Sequence, residues 1–319
     1  MFTVKTKFSL KPLVELPLSN PCPFDWDREF KRHAPLEIEI GFGYGEFLLE
    51  RAQSHPHRNL LGVEQNWERI CKTLCAVDRV ASQLPSFKNI RIVRMDVSLM
   101  LERFVARESI DCVFCFFPCP WPKRRHMRYR LFSKEFLILL NNRLKEQGTV
   151  KIVTDFYPYV EWILSENKET GFEVEIKTIP PQYNTKFERK WTLKGQTEFF
   201  ELNLQKKSHI AISEKEGVSL KSYRLKEFDP RSFCFEDYKN KIAVIFKGML
   251  FDASQQKAMV HLLVSEDNLI QHFWVTIVKK GEYWHIHKMD GQNVLPTEGL
   301  NLALELVYGA VKTVDLKKE

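Results

Sequence analysis

The stretch LEIEIGFGYGEF, residues 36–47, decides the fold. LEIEI reads as a strand, and it runs directly into Gly41, Gly43 and Gly45 before EFLLERAQ takes up helical spacing. Glycines let the backbone pass close to a ligand in a turn that Cβ atoms would block. The dinucleotide fingerprint is G-x-G-x-x-G; this spacing is G-x-G-x-G, which points away from NAD and towards S-adenosylmethionine. The same glycines also suit a purely structural tight turn, so the motif needs support from elsewhere.

That support comes from the strands that follow. NLLGVE (59–64), IRIVRMD (90–96), DCVFCFF (111–117) and TVKIVTD (149–155) are apolar runs separated by longer segments. One of these, WERICKTLCAVDRVASQL (67–84), is helical in spacing, with Ile70, Leu74, Val77 and Leu84 near one face. The alternation predicts an α/β protein with a parallel, Rossmann-like sheet. FEVEIKTI (172–179) and TEFFELNL (197–204) lack a full crossover helix between them and suit an antiparallel pair at the sheet edge. Glu39, Glu64 and Asp96 close the first three strands, so successive carboxyl ends each present a carboxylate to one crevice. Glu64 would take the two ribose hydroxyls, Asp96 the adenine amino group, and Glu39 would face the methionine end.

Of the 319 residues, 44% are hydrophobic, which suits a protein with a real core. No apolar run is long enough to span a membrane and the first residues are broken by charges and prolines, so a cytoplasmic protein without membrane contact is expected. Seven cysteines without framework spacing predict reduced thiols, and no zinc-type spacing occurs, so no metal is expected. The net charge of +7 is uneven: residues 209–319 hold 15 basic and 15 acidic residues, leaving 33 against 26 in residues 1–208. A polyanionic partner would therefore meet the first part. The texture changes after Lys206-Lys207-Ser208. KIAVIFKGMLF, AMVHLLVS, HFWVTIVKK and EYWHIHKMD, with SEDN and KKGE as turns, predict an antiparallel meander closed by the helix LNLALELVYGAVKTV. The expected organisation is an N-terminal arm (1–33), a catalytic domain (34–207) and a small β-rich α+β domain (208–319) suited to packing or self-association. Nothing in the sequence chooses between monomer and homodimer.

The remaining feature is FFPCPWPKRRHMRYR (116–130), a cysteine between two prolines at the head of a basic run. With EIGFGYGE, GVEQN, RMDV, TDFYPY and TKFE (185–188), it makes residues 34–206 resemble the bacterial tRNA (guanine-N7)-methyltransferases, the TrmB family. The resemblance implies a class I methyltransferase fold and methyl transfer from S-adenosylmethionine to a guanosine, position 46, in the tRNA variable loop. By position, Glu39, Glu64 and Asp96 are similar to the family's cofactor residues. Asp155, Lys123, Thr185, Lys186, Phe187 and Glu188 are similar to its substrate residues, and Arg124, Arg125, Arg128 and Arg130 to its RNA-contacting segment.

One departure stands out: the family pattern is P-D-P-W, with a catalytic or cofactor role for the aspartate, and Cys119 occupies that position. The resemblance therefore implies Cys119 and Asp155 as the catalytic pair and Cys119 as a cofactor contact. N7 of guanine carries an in-plane lone pair, so no general base is required; alignment and negative potential near the developing cation are. Asp155 and Glu188 would keep guanine recognition, with Cys119 a poorer acceptor that costs rate. Two alternatives stay open: Cys119 as the nucleophile of an RNA cytosine-C5 methyltransferase, or a catalytically weakened tRNA-binding protein. The C-terminal 110 or so residues have no counterpart in the ordinary bacterial pattern.

Overall fold

The computed structural model describes residues 8–84, 88–213, 217–267 and 269–312. They fall into two compact units: described residues up to 16 with those from 22 to 213, and residues 17–21 with the described residues from 217 to 312. In chain order the first unit holds β1 (Leu13–Val14), α1 (Trp26–Phe30), β2 (Leu36–Ile40), α2 (Glu46–Ser54), β3 (Asn59–Glu64), α3 (Trp67–Gln83), β4 (Ile90–Arg94) and α4 (Val97–Phe104). It continues with β5 (Ile110–Phe116), a 3-10 helix (Arg124–Tyr129), α5 (Lys134–Arg143), β6 (Leu144–Thr154), α6 (Tyr157–Glu166), β7 (Phe172–Ile179), α7 (Lys186–Thr192) and β8 (Phe199–Lys206).

The eight strands form one sheet in the order β1-β4-β3-β2-β5-β6-β8-β7, parallel except where β8 runs against β6 and β7. This is a class I methyltransferase sheet with β1 added at one edge. β2 leads to β3 on one side and lies beside β5 on the other, so strand order reverses there and a crevice opens at the carboxyl ends. Every residue of β2 and β3 is buried, as expected of strands covered on both faces. α3 lays Ile70, Leu74 and Val77 on the sheet, but Leu84 follows the helix as its C-cap and is 45% exposed. The helical spacing ran one residue past the last turn that packs.

The second unit holds β9 (Tyr223–Leu225), β10 (Tyr238–Lys239), β11 (Ile242–Asp252), β12 (Lys257–Glu266), β13 (Leu269–Lys280), β14 (Tyr283–Lys288) and α8 (Glu298–Lys312). β11 to β14 form the antiparallel meander, extended by the short β10 and β9 at its edges. Leu300, Leu304, Val307 and Val311 of α8 join Val260, Phe273, Val275 and Ile286 in one apolar core. Of the expected elements, Asn268 in the SEDN turn and residues 313–314 of the closing helix lie outside the described residues. No helix among the described residues is long and apolar enough to cross a membrane, and all seven cysteines are free.

Candidate active site

The glycine turn is built as its spacing requires. Gly41, Gly43 and Gly45 have φ of 68°, 59° and 74°, the left-handed region that side chains disfavour. At Gly45 a Cβ would also fall 2.4 Å from Thr73 Cγ2, so only glycine lets α2 start there. Glu64 ties the turn to the end of β3. Its Oε1 accepts from the backbone N–H of Gln65 (2.8 Å) and Asn66 (2.9 Å), while Oε2 accepts from the Gly43 N–H and Arg69, both at a loose 3.3 Å. Asp96 lies past β4 as the N-cap of α4: Oδ1 accepts from Ser98 (3.0 Å) and Leu99 (3.2 Å), and Oδ2 from the Gln65 amide (2.9 Å). One of its oxygens is thus committed to the helix.

Two glutamates on β2 separate structure from function. Glu37 is buried, but its carboxylate accepts from Arg51 Nε and Nη2 and from Arg58 Nη1, each at 2.8 Å. Glu39, two residues on and 4% exposed, has no ion pair among the described residues; its Oε2 is buried without a hydrogen-bond partner there. Burial pushes the Glu39 carboxyl well above the usual carboxylate range, and the nearby Glu46 and Glu64 charges add to the rise. A buried orphan of this kind costs stability unless something else pairs with it. Glu39 lines a cavity of about 80 Å³ together with the glycine turn, Phe116, Phe117 and the start of α7. The glycine cradle and the partnerless Oε2 of Glu39 fit the methionine end of S-adenosylmethionine, whose ammonium group would be the cation that oxygen lacks.

β5 delivers the cysteine loop. Phe114 and Phe116 lie on one face against Phe47, with ring centroids 4.9 and 4.4 Å away, and Cys115 faces the other way, fully buried. Phe117 (φ 53°) and Trp121 (φ 41°) then turn the chain through left-handed conformations on either side of the exposed Cys119. Lys123, Arg124, Arg125 and Arg128 are exposed beyond it, as an RNA-contacting segment requires. Arg130 is not. It is 6% exposed, donates from Nε to the Pro120 carbonyl (2.8 Å), and lies over the rings of Tyr159 (5.3 Å) and Trp162 (5.1 Å). The expected RNA contact is therefore corrected: Arg130 pins the cysteine loop to α6 and cannot reach a phosphate. Charge reversal at Arg125 and Arg128 should flatten the salt dependence of tRNA affinity, by about one unit of slope per lost phosphate contact. Arg130→Ala should leave that slope alone and lower the melting temperature by several degrees, about 1–3 kcal/mol for the stranded carbonyl and lost packing. A changed slope in Arg130→Ala would return the residue to the RNA surface.

The fourth wall is α7. Thr185 caps it, accepting from the Glu188 N–H (3.2 Å). Glu188 departs from the expectation of guanine recognition: it is 2% exposed, and its oxygens accept from the backbone N–H groups of Gln182 (2.8 Å), Tyr183 (3.1 Å) and Asn184. Its acceptors are spent on shaping the 182–184 turn that aims α7. Lys186 reaches Tyr44 Oη in the glycine turn (3.0 Å) and lies 4.2 Å from that ring, and Arg189 pairs with Glu46 (2.8 Å). Tyr44 and Glu46 escaped the sequence reading, although both lie inside the quoted GFGYGEF stretch. Phe187 meets Phe117 at 6.4 Å, so α7 and the cysteine loop share an aromatic seam. Asp155, half-buried just past the end of β6, has its carboxyl raised by burial, opposed by a backbone hydrogen bond and by Lys190. Phe187 thus meets Phe117 at the head of the cysteine loop, while Arg130 and Glu188 are taken up by contacts within the protein.

With this geometry in place, comparison with known proteins is informative. A family model described as "Putative methyltransferase" matches residues 33–201. A tRNA (guanine-N(7)-)-methyltransferase of Chlorobium phaeobacteroides is 44% identical over 175 residues, 55% of this chain and 83% of its own length. The corresponding protein of Thermotoga maritima is 32% identical over 317 residues, 95% of this chain and 96% of its own. That of Nitrosomonas europaea is 35% identical over 194 residues, 59% of this chain and 84% of its own. The Thermotoga match runs through both units, so the C-terminal residues do have a counterpart there.

Proposed function

The chain belongs to the tRNA (guanine-N(7)-)-methyltransferase family, and on that premise we propose that the crevice at the ends of β2, β3 and β4 loads the methyl donor and that the target is the variable-loop guanosine at position 46. The enzyme methylates N7 of guanine in tRNA with S-adenosylmethionine as donor. The observation that carries the site assignment is the buried, unpaired Oε2 of Glu39 beside the glycine turn, set against the fully paired Glu37 on the same strand.

When bound, S-adenosylmethionine supplies a sulfonium methyl group, an electrophile that needs an aligned nucleophile and no prior activation. The residues of this chain supply the alignment. Glu39 would receive the ammonium group as the cation its buried Oε2 lacks. Glu64 offers its loosely held Oε2 to the ribose hydroxyls, and Asp96 offers Oδ2 to the adenine end. On the substrate side N7 already carries a lone pair, so the site moves no proton from the base. Asp155 accepts from the guanine Watson-Crick edge and puts negative potential near the cationic product. Phe117 and Phe187 wall off water along their seam. A tRNA substrate would be met in the cytoplasm, where the enzyme would act.

Cys119 then occupies an exposed position in the loop without being the nucleophile, and neither the cytosine-C5 reading nor the weakened-binder reading is favoured by the relatives. Cys119→Asp should preserve or raise 7-methylguanosine formation, because a permanent carboxylate replaces a weak acceptor beside the developing cation. Cys119→Ser should be tolerated within about threefold, about 0.7 kcal/mol of barrier. Loss of activity in both variants, with a 5-fluorocytosine tRNA trapping the wild type as an adduct, would make Cys119 a covalent catalyst.

A further inference from the structure

Beyond the basic run at 123–128, the described residues of the first unit carry a second cationic surface beside the site, and its chemistry differs. The turn Lys190-Trp191-Thr192-Leu193-Lys194 leaves α7 at its last turn, and no acidic residue occurs between the buried Glu188 and Glu198. The Lys190 and Lys194 ammonium groups both lie against the Trp191 ring, each 4.9 Å from its centroid. Lys186 and Arg189 are engaged with Tyr44 and Glu46, but neither Lys190 nor Lys194 forms an ion pair among the described residues. Leu193, between them in sequence, is 88% exposed.

The turn is also tied to the chemistry. Gln196 donates its backbone N–H to the Trp191 carbonyl (3.1 Å) and its side-chain amide to the carbonyl of Asp155 (3.2 Å). Lys190 lies close enough to Asp155 to oppose the rise of its carboxyl. Trp191, partly buried, packs against the Phe116–Phe199 cluster, which holds the side chain in place. An aromatic ring with two unpaired lysines against it, at the rim of a recessed site, matches what an RNA base and its flanking phosphates require. A guanine whose N7 must reach that site has to leave its stack, and the neighbouring base then needs a new surface.

We propose that residues 190–194 form a second tRNA-contacting segment, in which Lys190 and Lys194 hold phosphates flanking the target guanosine and Trp191 stacks on a neighbouring base. The inference rests on the tRNA-methylating reading and adds to it a contact segment separate from the basic run. A merely solvated face would carry the same charges without the ring against them and without the tie to Asp155.

The test uses the full-length protein and one tRNA transcript, with tRNA affinity measured across salt concentrations and S-adenosylhomocysteine affinity as the control. The double variant Lys190→Ala/Lys194→Ala should raise KM for tRNA about tenfold and reduce the slope of log affinity against log salt by about 1.5 to 2, two lost phosphate contacts. Trp191→Ala should raise KM ten- to a hundredfold with the salt slope unchanged, and Trp191→Phe should recover most of the loss. Cofactor affinity should stay within twofold in all three. A wild-type salt slope in the double variant overturns the phosphate contacts. A Trp191→Ala protein with unchanged KM, or one that loses cofactor and tRNA binding together and is not rescued by phenylalanine, overturns the stacking role. A wild type that binds tRNA with these dependences but forms no 7-methylguanosine would sink the methylation reading and leave the contact segment standing.

Discussion

Glu64→Ala is expected to weaken S-adenosylhomocysteine binding at least about a hundredfold, some 2.7 kcal/mol, while the protein remains folded. The residue does two things at once. Its Oε1 holds the Gln65 and Asn66 N–H groups at the end of β3, and its Oε2 holds Gly43 in the turn at 3.3 Å. Hydrogen bonds to an ionised carboxylate contribute about 1.5–3 kcal/mol each, so two donated by ribose hydroxyls account for the loss. The loosened glycine turn adds to it. Glu64→Gln keeps the shape but offers only one oxygen, and should fall between the two. Calorimetry reads both; an affinity within threefold of wild type for Glu64→Ala would remove the residue from the cofactor site.

Glu39→Gln should separate stability from function in opposite directions. Burial holds the free acid's pKa well above its ordinary 4.5. Between that value and the raised native one, the native state binds more protons than the unfolded chain. Its stability therefore falls as pH rises through the window and levels off above it. Glutamine does not titrate, so the variant should lack this slope and should melt above wild type at alkaline pH. Its cofactor affinity should drop by about two orders of magnitude or more, because a buried ammonium group loses its counterion, about 3–5 kcal/mol. Within that window the wild type should also release a proton on binding, seen as an apparent heat that varies with the ionisation enthalpy of the buffer. Identical pH profiles for the two proteins, or a binding heat independent of buffer, would contradict the pairing of Glu39 with the ammonium group.

What could be seen in the sequence was what depends on near neighbours. The glycine turn, Glu39 and Glu64 are fixed by a strand ending in a tight turn, and both signals lie within a few residues. The antiparallel pair β7–β8 was legible from two strands without a full crossover between them. Arg130 was not, because its burial depends on Tyr159 and Trp162, which come from α6 some thirty residues later and convert a phosphate ligand into a pin. Glu188 misled for a related reason: a charged residue in a short motif reads as a contact, but three backbone donors from the preceding turn had already claimed it. Asp96 lies between these cases, a strand-end acid that also caps α4. β9 and β10, of three and two residues, are too short for any periodicity to register.

The central claim is that this chain methylates N7 of guanine in tRNA, and one measurement bears on it directly. An unmodified tRNA transcript is incubated with the protein and S-adenosylmethionine carrying a labelled methyl group, then digested to nucleosides and resolved by mass spectrometry. A parallel transcript carries 7-deazaguanosine, which has carbon in place of N7. The label should appear as 7-methylguanosine in the first and be absent from the second, because the substituted base has no lone pair at that position. Label in 5-methylcytidine, label retained on the deaza transcript, or no label in either would contradict the account.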